Sequence, residues 1–253
     1  MTNIGIQISS VRAHLQTPED VLESFRKVSK MGYKHIQIQW INPEIPIEFI
    51  HDALQETGLN CIGTQDYYDL VVDHLDEVIE ANDLWGGTYV TVSGIPERYQ
   101  TYEGCLEYAE ELNKLSIYLE SKGLILNFHP RSKDIFHYDE KNSLEVIFEN
   151  THKEFQFLLD IYHIVDAGLD PVEWIHRVEG RNDLIHYKDG LMDSSDKEVL
   201  MPVGQGSVSW EPIFKATKET GIQYTFAEQE TSQGDPFDCL EESYNYLKAH
   251  GFN

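Results

Sequence analysis

The feature that most constrains this chain is a unit repeated along it: a short β-type run, then a longer segment with apolar residues every three or four positions, often closed by glycine. Eight runs have the β-branched and aromatic character of buried strands: "NIGIQIS", "KHIQIQW", "LNCIGTQ", "TYVTVSG", "LILNFH", "FQFLLDI", "DLIHYKD" and "QYTFAEQ". Between them, Val21, Phe25 and Val28 mark one apolar helical stripe, and Ile47, Ile50 and Leu54 a second. Val71, Leu75 and Val78 mark another, Leu106, Ala109 and Leu112 the next, and Phe237, Leu240, Tyr244 and Leu247 the last. Thr17 before Pro18 and Asp235 before Pro236 read as helix starts, where proline's missing donor costs nothing. Gly32, Gly58, Gly123 and Gly221 fall just after helical patterns, as left-handed C-terminal caps require.

Eight strand-helix units in 253 residues predict an α/β fold, a (β/α)8 TIM barrel. It is expected to be a single domain over residues 1–253, with catalytic loops at the C-terminal ends of the strands. A doubly wound open sheet is the competing arrangement, but no GxGxxG or Walker sequence follows an early strand. The longest irregular stretch, residues 190–207, reads as an enlarged loop at the barrel mouth.

Charge and cysteine usage restrict the partners. Against 44 Asp and Glu stand only 19 Lys and Arg, a net charge of -25 that repels a nucleic-acid backbone and an anionic membrane surface. A cation or a small neutral ligand fits better. Cys61, Cys105 and Cys239 are odd in number and lack a CxxC pair, so neither a disulfide framework nor a thiolate zinc site is indicated. The opening "MTNIGIQISS" lacks a basic leader, and no run approaches the roughly 18 apolar residues of a membrane span. A cytoplasmic location, with no membrane contact, is the expectation.

In a barrel of this kind, the last residues of each strand face the active-site mouth. The third run ends in Gln65 and Asp66, the fourth in Ser93, the fifth in His129, Pro130 and Arg131, and the sixth in Asp160, Tyr162 and His163. The seventh ends in His186, Lys188 and Asp189, and the eighth in Glu228 and Glu230. Asp160, His186 and Glu228, with His129 as a candidate fourth, form a mixed oxygen and nitrogen ligand set for a divalent ion, manganese first, with magnesium, cobalt or zinc as alternatives. Each residue alone could equally be a strand-end cap or an ion-pair partner; their joint recurrence at strand ends favours a metal. His163, three residues after Asp160, reads as a substrate or outer contact. Lys188 could neutralise an oxyanion or pair with Asp189 or a nearby glutamate. Arg131 reads as a clamp for substrate oxygens or as a structural partner of an acidic loop. Trp40, with Tyr67 and Tyr68, could form an aromatic wall for a sugar, or could simply pack.

The stretches "GLILNFHP", "FLLDIYHIVDAGLDPVEWIHRV", "LIHYKDG", "VGQGSVSWEPIFKA" and "FAEQETSQGDPFDCLEESYNYLK" carry a resemblance that covers most of the chain. In order and spacing they resemble motifs of the xylose isomerase-like TIM-barrel sugar isomerase/epimerase superfamily. The resemblance implies a divalent metal held by an acid from the fifth strand, an Asp from the sixth, a His from the seventh and a Glu from the eighth. The last three map to Asp160, His186 and Glu228. The fifth strand departs from the pattern: His129 precedes Pro130 where many epimerases carry Glu, or, aligned to a second subgroup, His129 matches a histidine and Asp134 stands in for the acid. Gln205 likewise replaces an acid common in the glycine-flanked loop. Metal-dependent endonucleases acting at abasic sites share the sixth-strand motif, but the net charge of -25 and the lack of extra early-strand histidines argue against that activity.

These readings converge on a divalent-metal-dependent isomerase or epimerase of a keto sugar or polyol derivative, working by proton abstraction and a metal-stabilised enediolate. Glu228 is the expected base or proton carrier, with His129 or Lys188 returning the proton or stabilising the enediolate; His163, Arg131, Trp40 and Gln65 are expected to bind the small carbohydrate substrate. The alternatives are a lyase or dehydratase acting on a 3-keto sugar or inosose, and a sugar-binding barrel or subunit active only with a partner. A homo-oligomer is compatible with all of them.

Overall fold

The computed structural model describes residues 2–192 and 197–253. All eight β-type runs become strands of one parallel sheet. The first five are β1 (Asn3–Gln7), β2 (His35–Ile38), β3 (Asn60–Tyr67), β4 (Tyr89–Ser93) and β5 (Ile125–His129). The sixth run is interrupted at Leu158, giving β6 (Gln156–Phe157) and β7 (Leu159–Asp160). Then come β8 (Leu184–Tyr187), an outlying pair β9 (Asp189–Met192) and β10 (Glu198–Met201), and finally β11 (Tyr224–Ala227). Neighbours run β6, β5, β4, β3, β2, β1, β11, β8, β7. Because β6 and β7 are consecutive pieces of one segment, the two ends of that order meet and the sheet closes as a TIM barrel.

Ten helices surround it among the described residues: α1 (Pro18–Met31), α2 (Ile47–Thr57), α3 (Tyr68–Asp73), α4 (Leu75–Trp85), α5 (Tyr102–Glu120), α6 (Ser143–Asn150), α7 (Ile161–Asp166), α8 (Pro171–Arg177), α9 (Trp210–Thr220) and α10 (Pro236–Ala249). The expected caps are formed: the Thr17 hydroxyl accepts from the Asp20 amide at 3.1 Å and the Asp235 carboxylate from the Phe237 amide at 2.9 Å. Val21, Phe25 and Val28 are fully buried against the barrel, as their spacing requires. No helix among the described residues is long and apolar enough to cross a membrane.

Two sequence expectations change. The stripe of Val71, Leu75 and Val78 is two helices, α3 and α4, separated at His74 (φ -122°, ψ 35°), whose amide closes one and whose carbonyl opens the other. A one-residue break leaves the apolar face in register, so periodicity alone does not reveal it. Residues 190–207 are not simply irregular: β9 and β10 pair antiparallel, Gly190 opposite Leu200 and Met192 opposite Glu198. Residues 193–196 lie outside the described residues. The hairpin base is fixed by the buried Asp189 carboxylate, which accepts from the amides of Gly190, Gly204, Gly206 and Val208 and from the Trp210 indole. Those donors satisfy a charge that would otherwise be costly to bury, and most lie 15 to 21 residues away along the chain.

The barrel interior is layered. At its N-terminal end, Ile62, Tyr89, Leu158, Leu184 and Phe226 form a small apolar cluster. Gly5 is required there, since a Cβ would lie 2.5 Å from the Phe226 ring. Further along the strands the interior turns polar. The Gln7 amide donates to Gln37 Oε1 at 3.2 Å, and the Gln37 amide donates to Thr91 Oγ1 at 3.1 Å. Next toward the C-terminal ends, the ladder sets Ser93 beside His129 and Asp160 beside His186.

Candidate metal centre and active site

His129 ends β5, Asp160 ends β7, His186 lies within β8, and Glu228 follows β11 directly. Side chains along a strand alternate between faces, so closure of the barrel turns these four inward at one level. Each offers one ligand atom, and the four atoms lie within 4.8 Å of one another, all buried. His129 Nε2 is 3.8 Å from Asp160 Oδ2, and His186 Nδ1 is 3.0 Å from Glu228 Oε2.

The arrangement fits a cation. His129 Nε2 and His186 Nδ1 are buried without hydrogen-bond partners, although buried polar atoms are normally satisfied. The far side of each imidazole is occupied. His186 Nε2 lies 2.6 Å from Gln37 Oε1, an oxygen that can only accept, so this nitrogen carries a proton and Nδ1 is the ring atom turned toward Glu228. His129 Nδ1 lies 3.1 Å from Ser93 Oγ, which holds the ring with Nε2 toward Asp160. The 3.0 Å approach of Nδ1 to the Glu228 carboxylate is satisfied by a proton on Nδ1 or by an ion held by both atoms. Two nitrogens and two carboxylate oxygens suit a divalent first-row ion or magnesium.

Lys188, one residue beyond β8 and 1% exposed at its side chain, penetrates the same cluster. Its ammonium is 2.9 Å from Asp160 Oδ2, 3.0 Å from Glu230 Oε1, 3.5 Å from Glu228 Oε2 and 3.1 Å from His163 Nε2. One ammonium therefore faces three carboxylates, a surplus of two negative charges that matches a divalent ion. Burial alone would raise the Asp160 carboxyl, but Lys188 and the flanking histidines outweigh it and hold the group well below the usual carboxylate range. Glu228 is balanced in the same way, burial against Lys188 and His186, and falls to about 2. Burial, with Glu228 and Asp160 nearby, pushes Glu230 up despite Lys188. Burial also lowers His129, and burial followed by the Lys188 ammonium takes His163 down to about 3.

The remaining expected residues are placed as follows. His163 sits in the first turn of α7, its amide bonded to Asp160 Oδ1 and its Nε2 4.0 Å from Asp160 Oδ2, beside the four-residue cluster and outside it. Lys188 pairs with glutamates and Asp160, while Asp189 serves the hairpin base. Arg131 makes two bonds to the buried Asp134, at 2.5 and 3.0 Å, which also removes Asp134 from competition as the fifth-strand ligand. Gln65 is buried on β3, with its Oε1 unpartnered. Trp40 follows β2 with φ 58°, a strained value for a side chain of that size, and carries the Arg12 guanidinium 5.3 Å from its ring. Gln205 bonds Glu242 at 2.6 Å, away from the cluster. Sequence reasoning gave no part to Gln37 or to Ser9, whose hydroxyl lies 3.5 Å from Glu228 Oε1. The inward alternation of "HIQIQW" is the one signal that could have pointed to Gln37.

Comparison with known proteins agrees with this architecture. Solved structures with the same fold include a sugar phosphate isomerase/epimerase from Parabacteroides distasonis, 21% identical over 99% of this chain and 95% of that one, with a TM-score of 0.82. A probable 3-DHS dehydratase from Bacillus anthracis is 14% identical over 98% and 99% of the two chains, TM-score 0.73. A 3-keto-D-glucoside 4-epimerase from E. coli is 18% identical over 98% and 100%, TM-score 0.71. No curated protein gives a significant sequence match. Residues 25–250 match the family described as xylose isomerase-like TIM barrel. With the barrel closed around a cluster of strand-end histidines and carboxylates and that match spanning residues 25–250, the chain belongs to the xylose isomerase-like TIM barrel family.

Proposed function

We propose that this protein is a divalent-metal-dependent isomerase or epimerase of a keto sugar or related polyol derivative. The observation that carries the reading is the convergence of His129, Asp160, His186 and Glu228 on one buried point, with two of their ligand atoms, His129 Nε2 and His186 Nδ1, lacking any partner outside the cluster. Manganese suits the mixed donor set best, with magnesium, cobalt or zinc as alternatives. When bound, such an ion polarises a carbonyl and a neighbouring hydroxyl oxygen and so acidifies the adjacent C–H. Glu228, ionised beside Lys188 and His186, accepts that proton. Lys188, a buried ammonium at the same point, stabilises negative charge developing on the substrate oxygen, and His129 or Lys188 returns the proton. His163, Arg131, Trp40 and Gln65 surround the substrate.

A lyase or dehydratase acting on a 3-keto sugar or inosose is the second reading. It is favoured by a specific departure: an imidazole, His129, stands where proton transfer between two acids would need a second carboxylate. Elimination needs one base and one acid. Calorimetry of the stripped protein tests the shared premise: Mn2+ binds the wild type, and the Asp160→Ala, Glu228→Gln double variant loses that binding. Equal binding by both sinks the metal reading. Incubating candidate keto sugars in D2O separates the two chemistries, since deuterium entering an intact sugar marks an isomerase or epimerase and release of water or an aglycone marks a lyase.

A further inference from the structure

Lys188 and a divalent ion call on the same two oxygens. Asp160 Oδ2, 3.8 Å from His129 Nε2, is 2.9 Å from the Lys188 ammonium; Glu228 Oε2, 3.0 Å from His186 Nδ1, is 3.5 Å from it. An ion held by the four-residue group therefore draws both carboxylates away from Lys188. A buried ammonium stripped of its counter-charges is costly, and two cations crowded into one cavity weaken each other's hold on shared oxygens. One carboxylate remains for the ammonium. Glu230 is not among the four, and its Oε1 lies 3.0 Å from Lys188 Nζ.

The segment after β11 is built to bring Glu230 there. Gln229, between the two glutamates, is anchored at both its ends: its backbone amide donates to Ser10 Oγ at 3.0 Å, and its side-chain amide donates to the carbonyls of Leu200 and Thr231 at 3.2 and 3.1 Å. With Gln229 pinned outward, Glu228 and Glu230 both meet Lys188. The Glu230 side chain is 25% exposed, against 0% for Asp160 and 3% for Glu228, so of the three carboxylates it is the least costly to leave charged when no ion neutralises it. His163 adds a neutral hold on the same ammonium. A lysine nitrogen has no acceptor capacity when charged, so His163 Nε2 accepts the bond at 3.1 Å.

We infer that Glu230 is a positioning residue of the metal centre: it carries the charge of Lys188, with His163 as second acceptor, and so leaves Asp160 and Glu228 to the ion. This rests on the metal-centre reading of the cluster. The test is calorimetry on the stripped protein with Mn2+ alone as the probe. Glu230→Leu, which removes the acceptor, should weaken Mn2+ binding about tenfold, because Lys188 then falls back on Asp160 and Glu228. Glu230→Gln, which keeps an oxygen acceptor and loses the charge, should weaken it only about threefold. In a Lys188→Met background, Glu230→Leu should change the affinity by less than about twofold, since the ammonium it holds is gone. Equal losses in Glu230→Leu and Glu230→Gln, or the same loss with and without Lys188, mark a direct effect of the Glu230 charge on the ion. Either result overturns the positioning role and leaves the metal centre standing. A wild type that binds no Mn2+ overturns both.

Discussion

The two sides of the barrel mouth are built from different chemistry. β1 to β4 turn neutral groups inward, Gln7, Gln37, Thr91 and Ser93, whereas β5, β7, β8 and the turns after β8 and β11 supply His129, Asp160, His186, Lys188 and Glu228. Amides and hydroxyls can be buried once each is bonded, without a counter-charge. Carboxylates and an ammonium cannot, and here they are confined to one side, where each meets an opposite charge. The neutral side orients the charged side without altering its charge: Gln37 fixes the His186 ring and Ser93 fixes the His129 ring. One half of the mouth supplies the groups for the proposed ion and the proposed chemistry; the other half sets the direction in which they point.

The hardest way to break that division is to remove a charge from the charged side. Asp160→Ala should abolish Mn2+ binding in calorimetry and lower stability by about 3 kcal/mol in denaturant unfolding, because it strips Lys188 of its nearest carboxylate and α7 of its cap. Adding Lys188→Met should recover part of the stability and none of the metal binding, which separates the two consequences. A smaller effect is expected on the neutral side. Gln37→Leu keeps every ligand but frees the His186 ring, and should weaken Mn2+ binding by roughly 10- to 100-fold. Gln37→Glu should restore part of that affinity, since its carboxylate also accepts from Nε2. The smallest change belongs to Gln7, which reaches His186 only through Gln37: Gln7→Met should alter Mn2+ affinity by less than about threefold. If Gln7→Met and Gln37→Leu prove equally damaging, the neutral half works as a single unit and the stepwise picture is wrong.

The charged half was legible in the sequence and the neutral half was not. Asp160, His186 and Glu228 stand out because ionisable residues at the ends of apolar runs are conspicuous, and His129 was named with them as a fourth ligand. Gln37 and Ser9 are ordinary residues whose importance lies in what faces them, and their partners are 149 and 219 positions away in the chain. The same contrast holds for the scaffold. Strand runs and helix caps are local signals, so Thr17, Asp235 and the eight strands appear where expected. The break at His74 preserves the apolar face and leaves no local trace, and the β9–β10 hairpin depends on Asp189 collecting donors from as far as Trp210.

By itself, then, the sequence determined the strand-helix alternation, the closed barrel it implies and the candidate ligands at the strand ends, because periodicity, capping and strand-end position are encoded within a few residues of each other. Only the tertiary structure decided which of them meet. It brought in His129 and committed Asp134 to Arg131, set His163 beside the cluster and drove the Lys188 ammonium between three carboxylates. The reason is closure: side chains on β2 and β8 touch only when the sheet has curled on itself, and that contact, Gln37 on His186, is what turns Nδ1 toward Glu228.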